Sequence, residues 1–134
     1  MRVDWATTCR YAGVNAGLAT IVGAGIDTYW PSAFPAEVTG TILARVVGRP
    51  EETEQMHTLV VRVLGPDMTP SADPLEAQFQ TDLSPAHYPG WEQQVLLPIG
   101  FRFRASEAGI FTIEIGEVVK TCGSGLLVTR RPRS

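Results

Sequence analysis

Apolar and polar residues alternate along most of this chain, with a period of two. In Leu75–Leu83, the set Leu75, Ala77, Phe79, Thr81 and Leu83 falls on one side and Glu76, Gln78, Gln80 and Asp82 on the other, which predicts a half-buried strand. In Ile110–Ile115, Phe111, Ile113 and Ile115 oppose Thr112 and Glu114. Val95, Leu97, Ile99, Phe101 and Phe103 form a third such row, against Gln94, Arg102 and Arg104. Five further strands read less cleanly. Val3, Trp5, Thr7, Cys9 and Tyr11 share one face of the first, which predicts Trp5 in the core. Leu18 to Thr28 is apolar on both faces around Ile21 and Val22, the pattern of a central strand. Val38–Val47, His57–Leu64 (Leu59, Val61 and Val63 inward) and Leu126–Arg130 complete the set.

Glycine and proline, 13 and 10 residues, cut the sequence into short pieces. The longest stretch free of both, Glu51–Leu64, turns from charged to alternating β-branched residues halfway along, so an amphipathic helix has almost nowhere to sit. The expected fold is all-β: a single antiparallel β-sandwich of about eight strands, immunoglobulin-like or jelly-roll-like, over residues 1–130. Residues 131–134 read as a flexible basic tail, since Pro132 ends regular structure. Asn15-Ala16-Gly17 is the expected hairpin turn between the first two strands, with Asn or Gly supplying the positive φ. Gly123-Ser124-Gly125 reads as another hairpin turn, just before the last strand. Proline-bearing loops are expected at Trp30–Ala36, Gly65–Pro74 and Ser84–Trp91.

Composition adds mainly exclusions. The 134 residues suit one domain, and 44 % hydrophobic with 19 % charged residues is an ordinary globular balance. A net charge of −3 argues against a general binder of nucleic acid or anionic membranes. Neither a secretory leader nor a bilayer-spanning apolar run is visible, so the expected location is the cytoplasm. Cys9 and Cys122 have no CxxC or CxxH spacing, and both are expected as buried thiols, with no metal.

The search for chemistry is short. Gly23-Ala24-Gly25 fails as a dinucleotide motif, because Thr28 stands where a third glycine belongs and no helix follows. His57 and His87 sit alone, outside any metal or catalytic spacing, and no cofactor motif is present. Asp27 ends an apolar segment beside Tyr29 and Trp30. His87, Tyr88 and Trp91 occupy the Ser84–Trp91 loop. If these loops share one end of the sandwich, Asp27, Tyr29, Trp30, His87, Tyr88 and Trp91 are the candidate ligand- or partner-binding residues.

Cys9-Arg10-Tyr11-Ala12, followed by GLATIVGAGIDTYWPSAFPA from Gly17 to Ala36, resembles the opening of a family of small bacterial proteins described only as a domain of unknown function. Tyr11, Ala12, Gly17, Ile21, Gly23, Ala24, Gly25, Asp27, Trp30, Phe34 and Pro35 match its pattern; Arg10 replaces an acidic residue, and Thr20-Ile21-Val22 replaces Asn-Ile-Ile. His57–Asp67 and Gly109–Glu117 resemble its later strands more loosely. The resemblance implies a small cytoplasmic β-sandwich and brings no activity with it.

Two function classes follow. The first is a non-catalytic intracellular binding or scaffold module, of the kind found as a phage or prophage accessory. It would engage a protein partner, or itself, through an exposed edge strand, and the short closing strand Leu126–Thr129 is the expected edge. The alternative is a carbohydrate- or small-ligand-binding protein, or a hydrolase, using the loop aromatics and carboxylates. The first is favoured, because catalysis needs matched groups converging at hydrogen-bond distance and no sequence motif here supplies them.

Overall fold

The structure, a computed structural model, describes residues 1–16, 18–26, 28–48, 56–80, 93–116 and 121–128. Among them, alternating β-branched and aromatic residues form ten strands and no helix. They are β1 (Arg2–Cys9), β2 (Tyr11–Asn15), β3 (Leu18–Val22), β4 (Thr28–Tyr29), β5 (Ala36–Gly48), β6 (His57–Leu64), β7 (Leu75–Phe79), β8 (Gln93–Ala105), β9 (Gly109–Gly116) and β10 (Thr121–Val128).

A three-stranded sheet, β1-β5-β8, faces a five-stranded sheet, β4-β10-β9-β6-β7. One core fills the space between them. The three-stranded sheet contributes Val38, Ile42, Ala44 and Val46 from β5 with Ile99, Phe101 and Phe103 from β8. The five-stranded sheet contributes Leu59, Val61 and Val63 from β6 with Phe111, Ile113 and Ile115 from β9. The rings of Phe103 and Phe111 meet across the layers at 5.0 Å between centroids. The clean rows of the sequence are therefore the inner faces of a sandwich. Leu75 departs from its row: it starts β7 and is exposed, while Ala77 and Phe79 pack on the core.

The strand predicted over Val3–Tyr11 is two strands. Val3 pairs with Val46 and Trp5 with Arg45, so Asp4 is an extra residue, and this bulge reverses the phase. Val3 and Ala6 pack on the core, whereas Trp5 turns to the outer face and is 38 % exposed rather than in the core. The Asp4 carboxylate pairs with Arg45 on that outer face, and Arg45 Nε donates to Gln94 Oε1 at 2.6 Å. After Cys9 the chain leaves the sheet, and Tyr11 starts a separate hairpin.

That hairpin is the third sheet. β2 pairs with β3, from Tyr11↔Val22 to Asn15↔Leu18, and packs against β5 and β8. The segment predicted as one central strand, Leu18–Thr28, ends at Val22. Gly23 and Gly25, at φ 66° and 76°, turn the chain where a side chain would be strained, and only Thr28–Tyr29 resumes as β4. At the hairpin tip Ala16 shows φ 51°, and Gly17 lies outside the described residues.

The closing strand also differs. β10 begins at Thr121, and Gly123-Ser124-Gly125 is paired mid-strand with Glu114, Ile113 and Thr112 instead of forming a turn. Its far side is no free edge at its end: Leu127 and Val128 pair in parallel with Thr28 and Tyr29. Among the described residues, the long outer strand is β8, 13 residues with Pro98, Arg102 and Arg104 along it, features that discourage edge pairing. No helix among the described residues is long and apolar enough to cross a membrane.

Candidate functional site

Of the six residues predicted for a site, Asp27, His87, Tyr88 and Trp91 lie outside the described residues. Tyr29 and Trp30 are neighbours at the end of β4 with different roles. Tyr29 packs on the main core, and its hydroxyl donates to the Glu37 carbonyl at 3.3 Å. Trp30 is 53 % exposed as the chain leaves the sheet. His57 opens β6 with its ring 5.6 Å from that of Phe79. Among the described residues, no group of three or more His, Cys, Asp or Glu side chains is placed to hold a metal ion.

Tyr29 belongs to a cavity of about 460 Å³ that opens where β1 parts from β5. This volume lies within the range of small-ligand sites. β1 is paired with β5 only as far as Cys9↔Thr41, so among the described residues the first part of β5 has no strand on that side. Cys9 and Arg10 form one wall and Thr28 and Tyr29 another. Ile26, Val38 and Phe101 form an apolar floor, and Thr39 and Gly40 of β5 close the remaining side. Gly40 sets the shape of that floor. A Cβ there would stand 2.6 Å from Phe101 Cζ, so the ring lies over the strand only because the side chain is missing.

Two internal bonds hold the mouth. The Thr8 hydroxyl donates to the Ile26 carbonyl at 2.8 Å, and the Gly25 N–H donates to the Thr8 carbonyl at 2.9 Å. They tie the glycine turn to the end of β1. Cys9 is a free, fully buried thiol whose Sγ lies 3.5 Å from the Thr41 carbonyl, to which it donates. Burial pushes its pKa up, so it stays a neutral thiol and a poor nucleophile at physiological pH. The side chain of Cys122 is outside what the structure describes.

Sequence reasoning missed Thr8, Arg10, Thr39, Gly40 and Phe101 as members of one site. Gly40, interrupting an otherwise β-branched run, was the available signal, since a glycine within a strand marks close approach.

The second surface feature is the hairpin. Its inner face carries Ala12 and Ala19, which pack with Cys9, Leu43 and Leu96 on the outer face of the three-stranded sheet. Its outer face presents Tyr11, Leu18 and Val22, which are 59 %, 74 % and 54 % exposed. Ile21 and Val14 share the inner face with Ala12 and Ala19 and are 39 % and 38 % exposed.

No curated protein and no solved structure matches the chain. The model of one family does, over residues 4–120, a span that takes in nine of the ten strands except for the first residues of β1 and leaves out β10. The chain therefore belongs to the family of unknown function DUF6941.

Proposed function

We propose that this protein is a non-catalytic binding or scaffold module that engages a protein partner through the outer face of the β2–β3 hairpin. One observation carries this reading: Tyr11, Leu18 and Val22 stand together on the solvent side of a hairpin that is already anchored from below. Exposed apolar residues gathered on one element mark an interaction surface, whereas scattered ones are ordinary. The anchoring matters equally. A hairpin seated on Cys9, Leu43 and Leu96 is ordered before any partner arrives, so less conformational entropy is lost on binding. A cytoplasmic setting is part of the proposal, supported by the buried free thiol of Cys9.

The test is the double variant Leu18→Ser/Val22→Ser. Both side chains are outward, so the variant should fold as the parent does. Light scattering and capture from host extract would compare the two proteins. Concentration-dependent association, or a captured protein, present with the parent and lost with the variant supports the reading. Identical behaviour of parent and variant overturns it.

A further inference from the structure

We propose that the cleft beside β5 accepts an extended peptide segment of another protein, added as a short strand to the open edge of β5 and centred on Thr39. In an antiparallel strand, the N–H and C=O of alternate residues point to the same side. β5 pairs with β8 without a register shift from Ala36 to Gly48, so residues 37, 39 and 41 direct their main chain toward the β1 side. Two of the three are engaged there. The Glu37 carbonyl accepts from the Tyr29 hydroxyl, and the Thr41 carbonyl accepts from Cys9 Sγ, beside the last residue pair of β1. Between them, Thr39 lines the cavity, and no described residue is bonded to its N–H or C=O on this side. An unpaired main-chain donor and acceptor, recessed in an apolar-floored cavity, form a template for one more strand.

The dimensions and the floor say what fits. From residue 37 to residue 41 the edge runs about 13 Å, at roughly 3.3 Å per residue, which matches four or five residues of extended chain. Directly opposed residues in a pair share a face. A segment residue opposite Thr39 would therefore project to the outer face, and its two neighbours, opposite Val38 and Gly40, toward Ile26 and Phe101. The Phe101 ring lies over Gly40, so the neighbour opposite Gly40 would meet an aromatic surface there. The matching segment is apolar at two positions flanking a polar one. This site is separate from the hairpin face, and the proposal stands or falls independently of that reading.

Hydrogen exchange on the free protein comes first. The Thr39 amide should exchange at least tenfold faster than those of Val38 and Gly40, which face β8; protection of Thr39 equal to theirs would mean that this edge is already covered, and would overturn the proposal. The second measurement is an amide-shift titration with an equimolar pool of Ac-Thr-Xaa-Thr-Xaa-Thr-NH2 peptides, Xaa being Val, Leu, Ile or Phe. Shifts are expected at Thr28, Thr39 and Gly40. N-methylation of the central Thr, which removes the N–H aimed at Thr39, should weaken binding at least tenfold, while N-methylation of the first Xaa should not. Thr39→Pro removes only the cleft-facing donor and should abolish the shifts, and Thr39→Val should retain them. Absence of cleft shifts at millimolar pool, or indifference to the site of N-methylation, overturns the proposal. Shifts confined to Tyr11, Leu18 and Val22 would overturn it too, while supporting the hairpin as a binding face.

Discussion

The two faces of the β1-β5-β8 sheet are both covered, by covers of very different weight. The inner face meets another sheet, and the side chains between them are large: Ile42, Leu59, Ile113, Ile115, Phe103 and Phe111. Among the described residues, the outer face meets only the β2–β3 hairpin, which offers Ala12 and Ala19 to Cys9, Leu43 and Leu96. Alanines let the hairpin approach closely but remove little apolar area from water. The consequence is a gradient of local stability within one small chain. The inner core opens only with global unfolding, whereas the hairpin is positioned to open on its own. The weaker cover also carries the exposed apolar side chains Tyr11, Leu18 and Val22.

Truncation in the inner core should have the largest effect. Ile113 is fully buried, and Ile113→Ala should cost about 3–4 kcal/mol in urea denaturation. A loss below about 1 kcal/mol would mean that the inner core is not the dominant one. Leu43→Ala, on the outer face, should cost less, about 2 kcal/mol, because a two-stranded cover can settle into the space. Its signature is local: hydrogen-exchange protection should collapse at Gly13 and Thr20, whose amides face each other across the hairpin, and persist at Ile113. Equal loss of protection at all three would make the hairpin part of one cooperative unit and remove the distinction.

Cys9 reports on the outer cover by titration. Its pKa is raised above the ordinary thiol value of 9.0 by burial, so folding favours the protonated form. The resulting stability is fully present below the unfolded thiol pKa and is lost as pH rises through the higher folded value. The denaturation midpoint should fall above about pH 9, and Cys9→Ala should flatten that decline. A slope unchanged by the substitution would show that Cys9 is not the group responsible.

The smallest effect belongs to a loop outside both cores. Asp67 accepts from the Thr69 hydroxyl at 2.6 Å and from its N–H at 3.2 Å, which lowers the carboxyl pKa. A lowered pKa gives stability above the unfolded value that disappears as pH falls through the folded one. Asp67→Asn should therefore reduce the melting temperature slightly at pH 7 and not at pH 2. A difference that persists at pH 2 would assign the effect to something other than the charge.

The alternation of β6, β8 and β9 was enough to identify the sandwich and its inner face, because a strand buried on one side by a second sheet writes that burial into every other residue. That the chain falls in a family of unknown function was also legible. Three features were decided only by tertiary structure. A single bulge residue, Asp4, moved Trp5 out of the core, since a period of two has no memory across an inserted residue. Ile21 and Val22 read as a doubly buried strand, but apolar residues on both faces look the same whether covered by protein or presented to solvent. The glycines of β10 carried turn chemistry yet adopt an extended pairing, because glycine permits both. The cleft belongs to this group as well. Residues 8–10, 26, 28, 29, 38–40 and 101 are scattered along the chain, and what brings them together is the point at which β1 leaves β5, a choice made by packing and by no local pattern of residues.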